Sequence, residues 1–188
     1  KQNLEKESKK YKFEKPIEKI DLKKIYLKKF KKKEIYVSNV QDKNSGAYIH
    51  NCFNVAFKLI QKGFSNKILN GPINKTQTLK GKYLGVTEYV AKNFNQNKFA
   101  MLIYNKKLSV CPVTTHLPLK LVAKKISKKL IKEKIIIIDG FYKNFLGFRP
   151  KIGVVGLNPH CESILKFNED TKIILPAIQS LKKIINVN

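Results

Sequence analysis

Residues 151–162, which read KIGVVGLNPHCE, determine the fold class that the sequence predicts. The apolar run at 152–155 is typical of a short strand that is covered on both faces. Asn158 and Pro159 interrupt the run at once, so we expect His160 just beyond the carboxyl end of a strand. Open α/β sheets place their ligands at that edge.

A second histidine, His116, ends another apolar segment in VCPVTTHLPL and lies 44 residues before His160. Neutral imidazole is a common nitrogen ligand for divalent metals, and a catalytic site needs about three protein ligands. The third histidine, His50, has no acidic or thiol neighbour at metal spacing and is interpreted as a helix-packing or surface residue. Spacing alone leaves two readings open: a metal shared by His116 and His160, or two unrelated loop histidines.

The order of apolar patterns predicts an α/β fold with a mixed or mostly parallel sheet flanked by helices. Strands are predicted at 34–40, 66–69, 99–104, 108–113 and 152–156. Helices are predicted at 46–62, 87–94, 118–125, 131–145 and 170–185.

Several residues set the limits expected for these helices. Ser45 is a natural N-cap for the helix at 46–62, and Gly63 should end it. The apolar face of that helix is predicted to comprise Tyr48, Cys52, Val55 and Leu59. Ser127 should cap the following long helix and Arg149-Pro150 should end it, while Pro176 predicts a kink or a late start in the last helix.

The long helix competes with a strand at 135–138, where four isoleucines adjoin. A helical face continues over 15 residues and favours the helix, although Gly140 costs about 1 kcal/mol. That face is predicted to comprise Ile131, Ile135, Ile138, Tyr142 and Phe145.

Composition describes a globular chain with an unusual cation content. Hydrophobic residues make up 43% of the 188 residues, too many for a disordered chain. Residues 1–44 form a lysine-rich segment, and residues 45–188 are expected to form the α/β region. Cys52, Cys111 and Cys161 are odd in number and widely spaced, which predicts reduced thiols and, without a signal-peptide pattern, a cytoplasmic protein.

The formal net charge of +26 raises the question of nucleic acid or anionic membrane as a partner. Of the 39 basic residues only Arg149 is an arginine, although arginine is the side chain that forks onto phosphate and guanine. The lysines are spread along the whole chain. We therefore expect a solvated lysine surface, with no nucleic acid and no membrane as partner.

Four motifs in order give the chain a family resemblance. TTHLPL at 114–119 and GLNPH at 156–160, with GPINK at 71–75 and Gly-x-Thr-Glu at 85–88, resemble the 4-hydroxythreonine-4-phosphate dehydrogenase (PdxA) family of vitamin B6 biosynthesis. The similarity runs from about residue 45 to the end of the sequence. It implies part of a two-domain, homodimeric, cytoplasmic dehydrogenase whose sequence here is truncated at its C-terminus.

The resemblance also implies a chemistry. In the family, the two motif histidines, here His116 and His160, bind a divalent metal such as Zn, Mg or Co, and a third histidine comes from the partner subunit. NAD or NADP accepts the hydride, the substrate is the phosphorylated hydroxy amino acid 4-phosphooxy-threonine, and the keto acid that forms loses carbon dioxide. Thr87 matches a substrate-binding threonine. With two metal ligands and no recognisable dinucleotide site, this length of chain is expected to fold but to be inactive alone.

Two departures from the family pattern bear on the substrate. Val86 stands where the family has a histidine before Thr87, so a hydrogen-bonding group is replaced by an apolar one. Residues 161–163 read Cys-Glu-Ser where a glycine-rich run is common. The alternatives are a related dehydrogenase for threonate or erythronate phosphate, and a noncatalytic basic binding module.

Overall fold

The structure is a computed structural model that describes residues 17–20, 35–38, 45–159 and 167–188. It divides into two compact units, Lys1–Tyr83 and Leu84–Asn188. In the part of the chain so described, no helix is both long enough and apolar enough to cross a bilayer.

The first unit contains a two-stranded parallel sheet of β1 (Ile17–Ile20) and β2 (Ile35–Ser38), in which Ile17 pairs with Ile35. β2 confirms the strand predicted at 34–40. β1 was not predicted, because its sequence IEKI lies within a lysine-rich segment whose pattern shows no long alternation. Backbone pairing with β2 supplies what the side-chain pattern lacks.

Helix α1 (Ser45–Gln61) confirms the helix predicted at 46–62, but it buries a different face. Phe53 and Phe57 are buried, with ring centroids 5.7 Å apart. Tyr48, on the predicted face, is 45% exposed. The predicted face was wrong because an aromatic pair at i and i+4 removes more apolar area from water than the smaller side chains beside it.

Gly63 ends α1 as predicted, with φ of 76° in the left-handed region. The Phe64 amide donates to the Leu59 carbonyl at 3.0 Å and the Gly63 amide to the Ile60 carbonyl at 2.9 Å. This is the hydrogen-bond pair of a Schellman motif. The predicted capping role of the Ser45 side chain lies outside what is described.

The strand predicted at 66–69 is wrong, since the segment is an exposed loop in which Leu69 is 99% exposed. The Ser65 hydroxyl donates to the Lys67 carbonyl at 2.9 Å and accepts from the Lys67 amide at 3.0 Å. These local bonds compete with strand pairing. Beyond Gly71 and Pro72, Asn74 caps the short helix α2 (Lys75–Leu79) by accepting from the Gln77 amide at 3.1 Å.

The second unit confirms three of the predicted helices. They are α3 (Val86–Asn93), α4 (Leu119–Lys125) and α5 (Lys128–Phe141). The Ser127 hydroxyl accepts from the Leu130 amide at 3.2 Å, so Ser127 caps α5 as predicted. The four isoleucines at 135–138 are helical, and Gly140 lies inside the helix.

A π-helical turn (Tyr142–Leu146) extends α5 until Gly147, whose φ is 80°. The predicted end at Arg149-Pro150 was therefore two residues late. The predicted face holds at Ile131, Ile135 and Tyr142 but is wrong at Phe145, which is 56% exposed. A wider turn shifts the phase of the side chains, so the 3.6-residue period no longer applies there. Arg149 instead donates to the Ile184 carbonyl at 2.8 Å.

The strands predicted in this unit shorten to single bridges. Residues 99–104 and 108–113 meet in one antiparallel bridge, in which Ile103 and Val110 exchange backbone hydrogen bonds of 2.8 and 3.0 Å. The segment at 152–156 makes one parallel bridge, between Ile152 and Val187. It is not covered on both faces, because Val155 is 87% exposed. The predicted large sheet is thus reduced, over the described residues, to two strands and two bridges.

The predicted helix at 170–185 is shorter than expected. It consists of a π-helical turn (Asp170–Ile174) and α6 (Leu175–Gln179), with Pro176 in the first turn of α6. Proline there needs no amide hydrogen bond, so the late start is confirmed. The remaining residues turn back and bring Val187 beside Ile152.

An aliphatic cluster between α5 and the C-terminal segment forms the core of the second unit. Its buried members are Ile131, Ile135, Ile174, Ala177, Ile178, Leu181, Ile185 and Val187. Partly buried residues that pack against it include Val113, Ile152, Val154 and Leu157. The segments that lead to TTHLPL and to GLNPH therefore rest on the same core.

Asp170 is a buried carboxylate that fastens the GLNPH segment. It accepts from the Leu157 amide at 2.7 Å, from the Asn158 amide at 3.3 Å and from the Asn158 side-chain nitrogen at 2.7 Å. Burial acts to raise the pKa of Asp170, but these hydrogen bonds outweigh it and hold the pKa below its ordinary value of 3.8.

Replacing Asp170 should destabilise the second unit in a way that depends on pH. We expect Asp170→Asn to lower the free energy of unfolding by about 1–3 kcal/mol at neutral pH, because an amide nitrogen would face a donor. A lowered folded pKa contributes stability above the unfolded value of 3.8, and this is lost as pH falls through the folded pKa. In urea titrations, the difference in free energy of unfolding between wild type and variant should therefore become smaller below pH 3.8.

Glu169→Gln is the matched control, since Glu169 makes one long contact to Asn158, at 3.4 Å. It should have less effect at every pH. Equal losses for the two variants, or an Asp170→Asn gap that persists undiminished in acid, would contradict the role given to Asp170.

Candidate active site

Gly85 brings a carboxylate and an imidazole to one point at the start of α3. Its backbone is extended, with φ of −161°, so its conformation suits any residue. Space favours glycine here, because a Cβ built there would lie 2.8 Å from Glu88 Oε2 and 2.9 Å from His116 Nε2, and the ends of both side chains would have to move. The Gly-x-Thr-Glu and TTHLPL motifs therefore meet at this glycine.

Glu88 is held by one of its oxygens and leaves the other unused. The Thr115 hydroxyl donates to Glu88 Oε1 at 3.0 Å. Oε2 is buried and, among the described residues, accepts no hydrogen bond. A buried carboxylate oxygen without a partner is costly and requires an explanation.

His116 has a backbone conformation that is uncommon for residues other than glycine. Its φ is 56°, in the left-handed region, although it carries a Cβ. Strain of this kind costs about 1–3 kcal/mol and is concentrated at functional sites. The residue is exposed, so its imidazole can take a ligand from solvent.

The predicted site residues fall into two groups. Thr87, half-buried in the first turn of α3, lies directly before Glu88, and Val86 precedes it. His160 and the Cys-Glu-Ser run at 161–163 lie outside the described residues, so the shared metal stays a prediction. Within the described ranges, no three His, Cys, Asp or Glu side chains gather into a metal centre.

The approach to His160 is nevertheless well defined. Val113 and Leu157, which precede His116 and His160 by three residues each, pack against the aliphatic cluster. Three residues span at most about 10 Å. The described segments before both predicted ligands therefore pack against one core.

Two residues of this region were missed from the sequence. Glu88 is part of the Gly-x-Thr-Glu motif, in which the sequence analysis assigns a role only to Thr87. The motif itself was therefore the signal that could have identified Glu88. Asp170 follows Asn158 by 12 residues in a polar stretch, and no local pattern indicated it.

The described cysteines carry no sign of a nucleophile. Cys52 and Cys111 are free thiols, which confirms the prediction for these two; Cys161 is not described. Burial raises the pKa of Cys111, and the opposing charge of Lys134 offsets this only in part. Cys111 should stay protonated at neutral pH.

Gly85→Ala tests the close approach at the start of α3. The new methyl group should displace the ends of Glu88 and His116 and cost about 1 kcal/mol of folding free energy, the low end for overpacking, since only side-chain ends must move. Histidine imidazole resonances in NMR spectra should shift. Gly153→Ala is the control, because a Cβ there meets nothing within 4 Å. Equal effects of the two variants would refute the close approach.

The chain is similar to several known proteins. The chain is 42% identical over 117 residues to a 4-hydroxythreonine-4-phosphate dehydrogenase of a Hydrogenobaculum species, a match that covers 61% of this chain and 38% of the relative. It is 31% identical over 141 residues to a D-threonate 4-phosphate dehydrogenase of Pectobacterium atrosepticum, covering 73% and 43%. The chain thus spans about two fifths of the length of these curated relatives.

A crystal structure of 4-hydroxythreonine-4-phosphate dehydrogenase from Klebsiella pneumoniae superimposes with a TM-score of 0.70 at 28% identity, covering 93% of this chain and 58% of that one. This similarity supports the predicted α/β class, although few strands are present in the described residues. The model of the family described as pyridoxal phosphate biosynthetic protein PdxA matches residues 2–188. The chain belongs to this PdxA family.

Proposed function

We propose that the protein takes part in the NAD- or NADP-dependent, metal-assisted oxidation of 4-phosphooxy-threonine, with loss of carbon dioxide, in pyridoxal phosphate biosynthesis. One observation carries the proposal: the Gly-x-Thr-Glu and TTHLPL motifs converge at Gly85, where Glu88 and His116 meet. Family membership and the names of the relatives support the reaction class.

The residues present fit a divalent metal. His116 is an exposed residue whose imidazole can serve as a nitrogen ligand. In the proposal His116 and His160 hold the metal, which is zinc, magnesium or cobalt. When bound, such a cation polarises a substrate oxygen and stabilises negative charge that develops on it.

The chain's own residues bind and orient the substrate. Thr87, at the start of α3, would hydrogen-bond the substrate and fix its position relative to His116. Asp170 would keep the residues before His160 in place through its bonds to Leu157 and Asn158. Rigid placement of reacting groups is worth several kcal/mol in catalysis. The proposed roles of Thr87 and Asp170 both contribute to such placement.

The assembly proposed with this function is a cytoplasmic homodimer in which the partner subunit supplies a third metal ligand. Neither nucleic acid nor membrane is a proposed partner. An active monomer, identified by light scattering together with an assay, would contradict this assembly.

A second candidate substrate is D-threonate 4-phosphate. It is favoured by the similarity to the Pectobacterium enzyme and by Val86, which offers no hydrogen bond where the family has a histidine. A site that lacks a hydrogen-bonding side chain discriminates less strongly in favour of a substrate that would bond to that side chain.

Steady-state assays of the assembled homodimeric enzyme test the proposal, since this length of chain alone is expected to be inactive. We expect formation of NADH or NADPH from 4-phosphooxy-threonine that requires a divalent metal and falls by about 100-fold or more in His116→Ala, as loss of a ligand or of its supporting shell does. Comparison of kcat/KM for the two phosphorylated acids separates the two substrates. Affinity for nucleic acid or anionic vesicles that falls steeply with salt, with no metal-dependent oxidation, would instead favour a basic binding module.

A further inference from the structure

We infer that Asn70 is a site of spontaneous deamidation, at which the protein acquires aspartate and isoaspartate as it ages. Asn70 and Gly71 form the one Asn-Gly pair in the sequence. The pair lies in the exposed loop before α2, and Gly71 is the first residue of the GPINK motif. This chemistry is independent of the proposed oxidation.

The reaction needs only the Asn70 side chain, the next backbone amide and water. The Gly71 nitrogen attacks the side-chain carbonyl carbon of Asn70, and the new C–N bond closes a five-membered imide ring. The C–N bond to the side-chain amino group breaks, and this group leaves as ammonia with the proton that the Gly71 nitrogen gives up. Water then opens the ring at either carbonyl, which gives aspartate or isoaspartate without any oxidation or reduction.

Gly71 leaves the attacking nitrogen accessible. It has no side chain, and a Cβ built there meets nothing within 4 Å, so no neighbouring group crowds the backbone. Its amide donates no hydrogen bond within the described ranges. Most backbone amides in folded proteins are engaged in such bonds, which must break before the nitrogen can react. The Gly71 nitrogen does not face that cost.

The side chain of Asn70 already lies along the residue that must attack it. Its Nδ2 donates to the Gly71 carbonyl at 2.9 Å, which folds the side-chain amide back over the Gly71 peptide. Both residues are exposed, and Leu69 before them is 99% exposed, so water reaches the ring that forms. Proximity of the reacting groups is a large part of the barrier to a ring closure.

Two other sites show what the structure adds to the sequence pattern. Asn74 lies nearby, but its Oδ1 is held by a backbone hydrogen bond of 3.1 Å as the cap of α2, and the residue after it, Lys75, carries a Cβ. Asp139 is followed by Gly140 and can in principle form the same imide, but it is 7% exposed inside α5. Helical hydrogen bonding fixes the backbone there. Of these sites, only Asn70 combines a following glycine with an open loop.

Deamidation changes both charge and backbone length next to GPINK. A neutral amide becomes a carboxylate, and isoaspartate adds one atom to the main chain directly before Gly71. We expect an acidic form that accumulates during storage and elutes earlier from a cation exchanger. An isoaspartyl methyltransferase with S-adenosylmethionine should label part of this form, since it methylates isoaspartate and not aspartate.

Tandem mass spectrometry of tryptic peptides tests the assignment. The folded protein is incubated at mildly alkaline pH, and a sample taken at time zero corrects for conversion during digestion. Trypsin releases residues 68–75 as one peptide, so Asn70 and Asn74 are compared within the same molecule. We expect Asn70 to convert about tenfold or more faster than Asn74, which corresponds to about 1.4 kcal/mol in activation free energy. Equal rates, or an Asn70 that stays intact, would overturn the assignment.

Gly71→Ala is the variant that isolates the attacking residue. Its Cβ has free space and the backbone φ suits alanine, so the fold should persist while conversion of Asn70 slows by about tenfold. Gly153→Ala, at another glycine with open space, is the control and should leave the rate unchanged. An undiminished rate in a folded Gly71→Ala protein would refute the role of the glycine.

Wild-type protein unfolded in urea provides a comparison that needs no variant. If the loop leaves Asn70 unprotected, the rates in folded and unfolded protein should agree within about fivefold. Stronger protection in the folded protein would show that the structure shields Asn70, and the inference would fail.

Discussion

The aliphatic cluster between α5 and the C-terminal segment is the constraint on which the second unit depends. Ile131 and Ile135 contribute from α5, and Ala177 and Ile178 contribute from α6. Burial of such side chains is worth about 1.5–3 kcal/mol each, and it is non-directional. The cluster therefore holds the segments before both histidine motifs near one another without fixing the orientation of any functional group.

Orientation comes from a few buried polar contacts. Asp170 joins the start of the last helical segment to the residues before His160, and Thr115 joins the TTHLPL motif to Glu88 on α3. Both contacts engage a carboxylate, and hydrogen bonds to charged groups are the stronger and more directional kind. The apolar core brings the motifs together, and these contacts set their geometry.

The site itself departs from ordinary local preferences. His116 adopts a left-handed backbone conformation, Gly85 is favoured by space rather than by φ, and a carboxylate oxygen is buried without a partner among the described residues. Each feature costs free energy that the rest of the unit must offset. Costs of this kind are concentrated where a ligand is to be bound, which agrees with the proposed role of the motifs.

The sequence alone determined the family, the helices at 46–62, 87–94 and 118–125, and the capping role of Ser127. These depend on local signals: an apolar period, a capping hydroxyl, or a short motif in order. Tertiary structure decided which face of α1 is buried, why 66–69 is a loop, and that Val155 is exposed, since these outcomes depend on which distant surface competes for each side chain. It also decided the partners of Glu88 and Asp170. Their hydrogen bonds join residues that are 27 and 12–13 positions apart in the chain, and no local pattern records such contacts.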